Sequence, residues 1–186
     1  MHLVRDPLPR PARGAAPVTA PRPIRLLVCG NAERGDDGAA LVAVAGLLPG
    51  LPPHLLAILE VRRCEQLELE DLLDVPEATA CVIVDTAIGV PVGTVVTIPL
   101  CELPARDAAA CPSPRSSHVL PIGQLVAIAQ ILRERPLEGS FVGLGGRSFG
   151  FGRALGRPVR AALPSFRSAI ETALIQAAAV SRTHLV

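Results

Sequence analysis

The sequence has no lysine, no tryptophan and no tyrosine, and aromatic residues make up only 2% of it. With so few rings there is no platform on which bases could stack. The net charge of +1 leaves no overall field to steer a nucleic acid. Both absences exclude a nucleic-acid binder. We read the all-arginine basic set as genome composition rather than function. No uninterrupted apolar run reaches the ~20 residues that a bilayer span requires, and the N-terminal arginines are followed by no apolar core of a secretory signal. Five cysteines, at 29, 64, 81, 101 and 111, form no C-x-x-C pair. Their odd number, with two inside predicted strands, reads as reduced, structural thiols in a cytoplasmic protein.

Motifs for several chemistries are also missing. There is no G-x-S-x-G elbow for a serine nucleophile, and Ser116 and Ser117 beside His118 do not make a triad by being adjacent in sequence. The dinucleotide fingerprint G-x-G-x-x-G is absent. Gly30 and Gly35 have the spacing of a phosphate loop, but Asp36-Asp37 stand where Lys-Ser or Lys-Thr belongs. An acidic mouth repels a pyrophosphate, so the loop is more simply explained by a cation.

What is present is a chain of 186 residues, 49% hydrophobic, long enough for one domain with a full aliphatic core. Residues 1–23, with prolines at 7, 9, 11, 17, 21 and 23, read as a disordered tail. From residue 24 to 186 strands and helices alternate. "IRLLVCG", "LLAILEVRR", "ACVIVDTA", "GTVVTIPL" and "SFVGLGG" read as five strands. Helices are expected over 37–48, 64–74, about 118–135 with Pro121 in the first turn, and 158–180. Residues 101–117 read as a long functional or mobile loop. "VGLGGRSFGFGRALG" reads as a close-approach loop or a flexible connector. This alternation predicts an α/β fold, a three-layer α/β/α sandwich around a mostly parallel five-stranded twisted sheet.

Ligands in such sheets bind beyond the carboxyl ends of the strands, at a switch in strand order. Strand one is followed by Asn31, Glu33, Asp36 and Asp37; strand three runs directly into Asp85; His118 opens a later helix. With strands one and three adjacent, Asp37 and Asp85 converge on one crevice and His118 can join them. Two carboxylates and an imidazole suit nickel, zinc, manganese or iron, and a bound cation relieves the repulsion between the carboxylates. Taken singly, each residue has a plainer explanation. Asp36 fits a helix N-cap, Asp37 favours the helix dipole, and Asp85 can simply turn the chain. Cys29 reads as a packed apolar side chain.

The set "GNxxxxDDG" after strand one, "VDTA" ending strand three and a helix-opening "SSH" resembles the hydrogenase maturation proteases, over about residues 25–180. The resemblance implies a cytoplasmic endopeptidase that removes the C-terminal extension of a nickel-iron hydrogenase large-subunit precursor. It implies that Asp37, Asp85 and His118 are both the metal ligands and the catalytic set. Nickel is supplied by the substrate, though another divalent metal could substitute. Asn31 and Asp36 are expected in the substrate cleft, and the protein is expected to act as a monomer with neither nucleic acid nor membrane as partner. The sequence departs from the family at Val28, where a glycine is common, and at "RRCEQLELEDLL", where many members carry a Gly-Thr-x-Gly loop. That departure leaves a non-proteolytic, metal-sensing maturation chaperone on the same fold as the alternative.

Overall fold

The structure is a computed structural model and describes residues 22–104 and 120–179. Five strands form one sheet: β1 (Ile24–Cys29), β2 (Leu59–Cys64), β3 (Ala80–Ala87), β4 (Val95–Pro99) and β5 (Gly139–Gly145). Their order is β2-β1-β3-β5-β4, with every pairing parallel except β4 against β5. The expected mostly parallel α/β sheet is therefore present. The central strands β1 and β3 are apolar nearly throughout because both of their faces are covered.

Side-chain alternation divides the core into two layers. Ile24, Leu26 and Val28 of β1 and Ala80, Val82 and Val84 of β3 pack against α1 (Ala39–Leu47) and α5 (Arg157–Ala179). Leu27 and Cys29 of β1 and Cys81 and Ile83 of β3 face α3 (Leu69–Leu73) and α4 (Ile122–Leu132). By the same alternation Asp85 falls on the α3/α4 side of the sheet.

Several boundaries differ from those expected, each for a local reason. Leu55 and Leu56, read as strand, belong to a short helix, α2 (Pro53–Leu56), because Pro53 sets its first turn. The helix expected over 37–48 is a 3-10 turn at Gly35–Gly38 leading into α1, which again tightens to a 3-10 turn at Leu48–Gly50. The helix expected over 64–74 shortens to α3. Glu68 at its start forms a capping box with Asp71, and this fixes where the helix begins. α4 starts after Pro121, an extended residue at the cap, rather than at His118. His118 and most of the 101–117 loop lie outside the described residues, as do residues 1–21 of the tail expected over 1–23 and residues 180–186.

In a core almost without aromatics, Phe166 is the largest fully buried side chain, at the centre of the α1/α5 layer. Phe166→Ala leaves a cavity there that aliphatic neighbours only partly fill. It should cost about 3–5 kcal/mol, read as a lower midpoint in urea denaturation with an unchanged slope.

Candidate active site

The chain leaves β1 through α1 on one face of the sheet and returns from β2 through α3 on the other. Between the carboxyl ends of β1 and β3 the strand order reverses, and a cleft of about 350 Å³ opens there. Asp37 lines it from the turn after β1 and Asp85 from the end of β3. Glu65, just after β2, and Arg34 contribute charge; Leu120, Ile122 and Leu125 around the start of α4 and Phe149 of the glycine-rich loop supply apolar walls. The two carboxylates expected to converge therefore share one cavity. His118 is outside the described residues, two positions before Leu120.

The turn after β1 is built around Gly30 and Asn31. Gly30 has φ +121°, and a Cβ there would stand 2.1 Å from the Asp37 carbonyl oxygen, so only glycine lets the turn close. The Asn31 amide donates to Asp37 Oδ2 (3.0 Å), and Asn31 Oδ1 accepts from the Glu33 amide (2.9 Å). Asn31 Nδ2 donates to Glu65 Oε1 (2.7 Å), joining the ends of β1 and β2. Asn31 does not line the acidic cleft itself; it lines an adjoining groove with Gly30, Leu41, Val42, Arg63 and Glu65. Glu33 is exposed and lines neither.

Asp36 has a role that neither sequence reading assigned to it. It makes no side-chain cap to the helix that follows, and it does not line the acidic cleft. Its side chain is 1% exposed, and its carboxylate accepts three backbone N–H groups of the glycine-rich loop: Arg147 (2.9 Å), Ser148 (2.8 Å) and Gly156 (2.7 Å). Its own amide donates to Ser148 O (2.7 Å), and its carbonyl accepts the Thr86 hydroxyl (2.9 Å). Burial alone would raise the Asp36 carboxyl, but the three amides outweigh it and hold the group below its ordinary value. The loop is thus a close-approach loop rather than a free connector. Gly146 permits the contact, since a Cβ there would meet Thr86 Cγ2 at 2.4 Å. Arg34 fastens the outer side, with Nε donating to Phe149 O (3.3 Å) and its guanidinium over the Phe151 ring.

The electrostatics of the cleft follow from this packing. Burial pushes Asp85 up to about 7, and the nearby Asp37 charge adds to the rise, against the Thr86 amide that donates to Asp85 Oδ1 (2.6 Å). Each of the two aspartates binds one backbone amide through one oxygen. Among the described residues, the second oxygen of each has no protein donor. Two hard oxygen donors facing one cavity fit a divalent cation. Among the described residues, however, no three His, Cys, Asp or Glu side chains lie close enough to hold a metal by themselves. A full coordination set needs donors from elsewhere. Sequence reasoning missed Glu65, Arg34, Thr86 and Phe149. Glu65 carried a usable signal, because it follows β2 directly at the same edge of the sheet where Asp85 lies near the end of β3.

No protein-family model and no curated protein matches the sequence. Solved structures do match the fold. The hydrogenase maturating endopeptidase HybD from E. coli aligns with a TM-score of 0.66 at 21% identity, over 83% of this chain and 93% of that one. The chain has the fold of the hydrogenase maturation endopeptidases. The nickel-iron hydrogenase maturation protease HybD from Thermococcus kodakarensis aligns at 0.61 and 21% identity, over 81% and 97% of the two chains. The endopeptidase HycI from Escherichia coli aligns at 0.55 and 18%, over 80% and 90%.

Asp85 gives this site a measurable signature. Its folded-state pKa lies above the ordinary 3.8, so it costs no stability while both states are protonated. The cost grows as pH rises from about 3.8 to about 7 and is constant above that. Asp85→Asn, which keeps an acceptor for the Thr86 amide, should therefore be more stable than the parent in urea at pH 8. The gap should nearly close by pH 4. Asp36→Asn should behave oppositely: it should lose about 1–3 kcal/mol at neutral pH, and the parent should lose the same advantage as acid protonates Asp36.

Proposed function

We propose that this chain is an endopeptidase that removes the C-terminal extension from the nickel-loaded large-subunit precursor of a nickel-iron hydrogenase. In this reading Asp37, Asp85 and His118 recognise the nickel carried by the substrate. The observation that carries it is the pairing of Asp37 and Asp85 in one cleft at the β1/β3 switch point. The fold supports it, since several of the solved structures that share the fold are named as hydrogenase maturation endopeptidases or proteases. No described helix is long and apolar enough to cross a membrane, and we place the reaction in the cytoplasm with a soluble precursor as partner.

Nickel brought by the precursor supplies a Lewis acid able to polarise a peptide carbonyl or a water. The chain's own residues do the rest. Asp37, held by the Asn31 amide, offers one oxygen as an anionic ligand. Asp85, poised near 7, can hold a proton at Oδ2 in the empty cleft and give it up when a cation enters. Leu120, Ile122, Leu125 and Phe149 limit water around the reacting bond.

A second reading, a metal-sensing maturation chaperone that does not cleave, is favoured by one feature. Glu65 and Gln66 line the cleft at the segment where the family resemblance expects a Gly-Thr-x-Gly loop. Mass spectrometry of a nickel-loaded precursor co-expressed with this chain separates the two, because only the protease shortens it. Under the protease reading, Asp37→Asn and His118→Ala should fold as the parent does and leave the precursor at full length. Complete processing by both variants would reject these roles.

A further inference from the structure

Cys29 and Cys64 are the last residues of β1 and β2, and they stand directly opposite one another in the parallel register. Neighbouring strands run ~4.7–4.9 Å apart, within the Cα separation of ~4.4–6.8 Å that a disulfide accepts. Both side chains are buried in the α3/α4 layer. Cys29 and Cys64 therefore stand side by side on one face of the sheet. Cys29 also lines the acidic cleft, through which a small solute can reach that thiol. The other described cysteines lack this arrangement: Cys81 is opposite Arg25 on β1 and Gly139 on β5, and Cys101 is exposed outside the sheet. The peptide-cleaving reaction proposed above uses neither thiol.

We propose that Cys29 and Cys64 are a redox modification site, a thiol pair that a hydroperoxide converts into a reversible disulfide in the wall of the cleft. The Cys29 sulfur, at the cleft, attacks the O–O bond of the hydroperoxide ROOH, forming a sulfenic acid and releasing ROH. The Cys64 sulfur then attacks the Cys29 sulfur, and the sulfenic hydroxyl departs with the Cys64 proton as water. Two thiols and ROOH become one disulfide, ROH and water. A dithiol reductant reverses the change by taking the two electrons back. Gly30-Asn31 follow one cysteine and Glu65 the other, so the bond fastens the segments already joined by the Asn31–Glu65 hydrogen bond. The disulfide thereby fixes the spacing of two walls of the site.

The test is hydrogen peroxide treatment of the purified full-length protein, followed by thiol alkylation, peptide mass spectrometry and a thermal melt. The expected result is a Cys29–Cys64 linked peptide and a rise in Tm of roughly 5–10 °C, from closing a long loop in the unfolded chain. Dithiothreitol should reverse both, and Cys29→Ser and Cys64→Ser should each show neither. Overoxidation of the two residues without a linked peptide would overturn the proposal. So would a bond from either to Cys81, Cys101 or Cys111, or a linked form that melts no higher than the reduced one. These outcomes are independent of whether the protein cleaves a precursor.

Discussion

The cleft depends on one buried negative charge. The Asp36 carboxylate binds three amides of the 147–156 loop, while its backbone holds Ser148 and the Thr86 hydroxyl. These contacts tie together the end of β3 and the segments that follow β1 and β5. An anion that is 1% exposed would be costly alone, but here every partner is an oriented donor, so the group stays ionised and rigid. Asp37 is the next residue in one direction, and Asp85 is the neighbour of Thr86. The position of both acids at the cleft is therefore set by a residue that never enters it.

Around that anchor the sequence has placed opposing tendencies. Asp37 and Asp85 share a partly desolvated space, which holds Asp85 up to about 7 and makes the empty site poor at keeping two charges. Backbone amides satisfy only part of each carboxylate. Such an arrangement is better suited to receiving a cation than to folding tightly around its own charges. Under the proposed function, this is the space that nickel carried by the precursor would enter.

The sheet and its switch point were legible in the sequence because they rest on strand-length apolar runs and strand-end polar residues. β3 was read to the residue, and β1 and β5 to within one. Helix starts were less legible. Pro53, Glu68 and Pro121 move the boundaries through local cap and turn chemistry that competes with the apolar pattern. Within the site, Asp37 and Asp85 were found by a rule about strand ends, and the same rule reaches Glu65. Asp36 was misread because an acid before a helix usually caps it. Its partners lie more than a hundred residues later in a glycine-rich loop, a pairing no local pattern encodes. The side-by-side placement of Cys29 and Cys64 was hidden for the same reason, since it depends on strand register.

The most direct test of the account is the titration of Asp85 followed by carbon-detected NMR of its side-chain carboxyl, in the parent protein and in Asp37→Asn. If the two carboxylates share one cleft, the parent should show Asp85 titrating near 7. Its midpoint should fall when Asp37 is neutralised. An Asp85 that titrates near the ordinary 3.8 in the parent, or whose midpoint does not respond to the loss of the Asp37 charge, would contradict it.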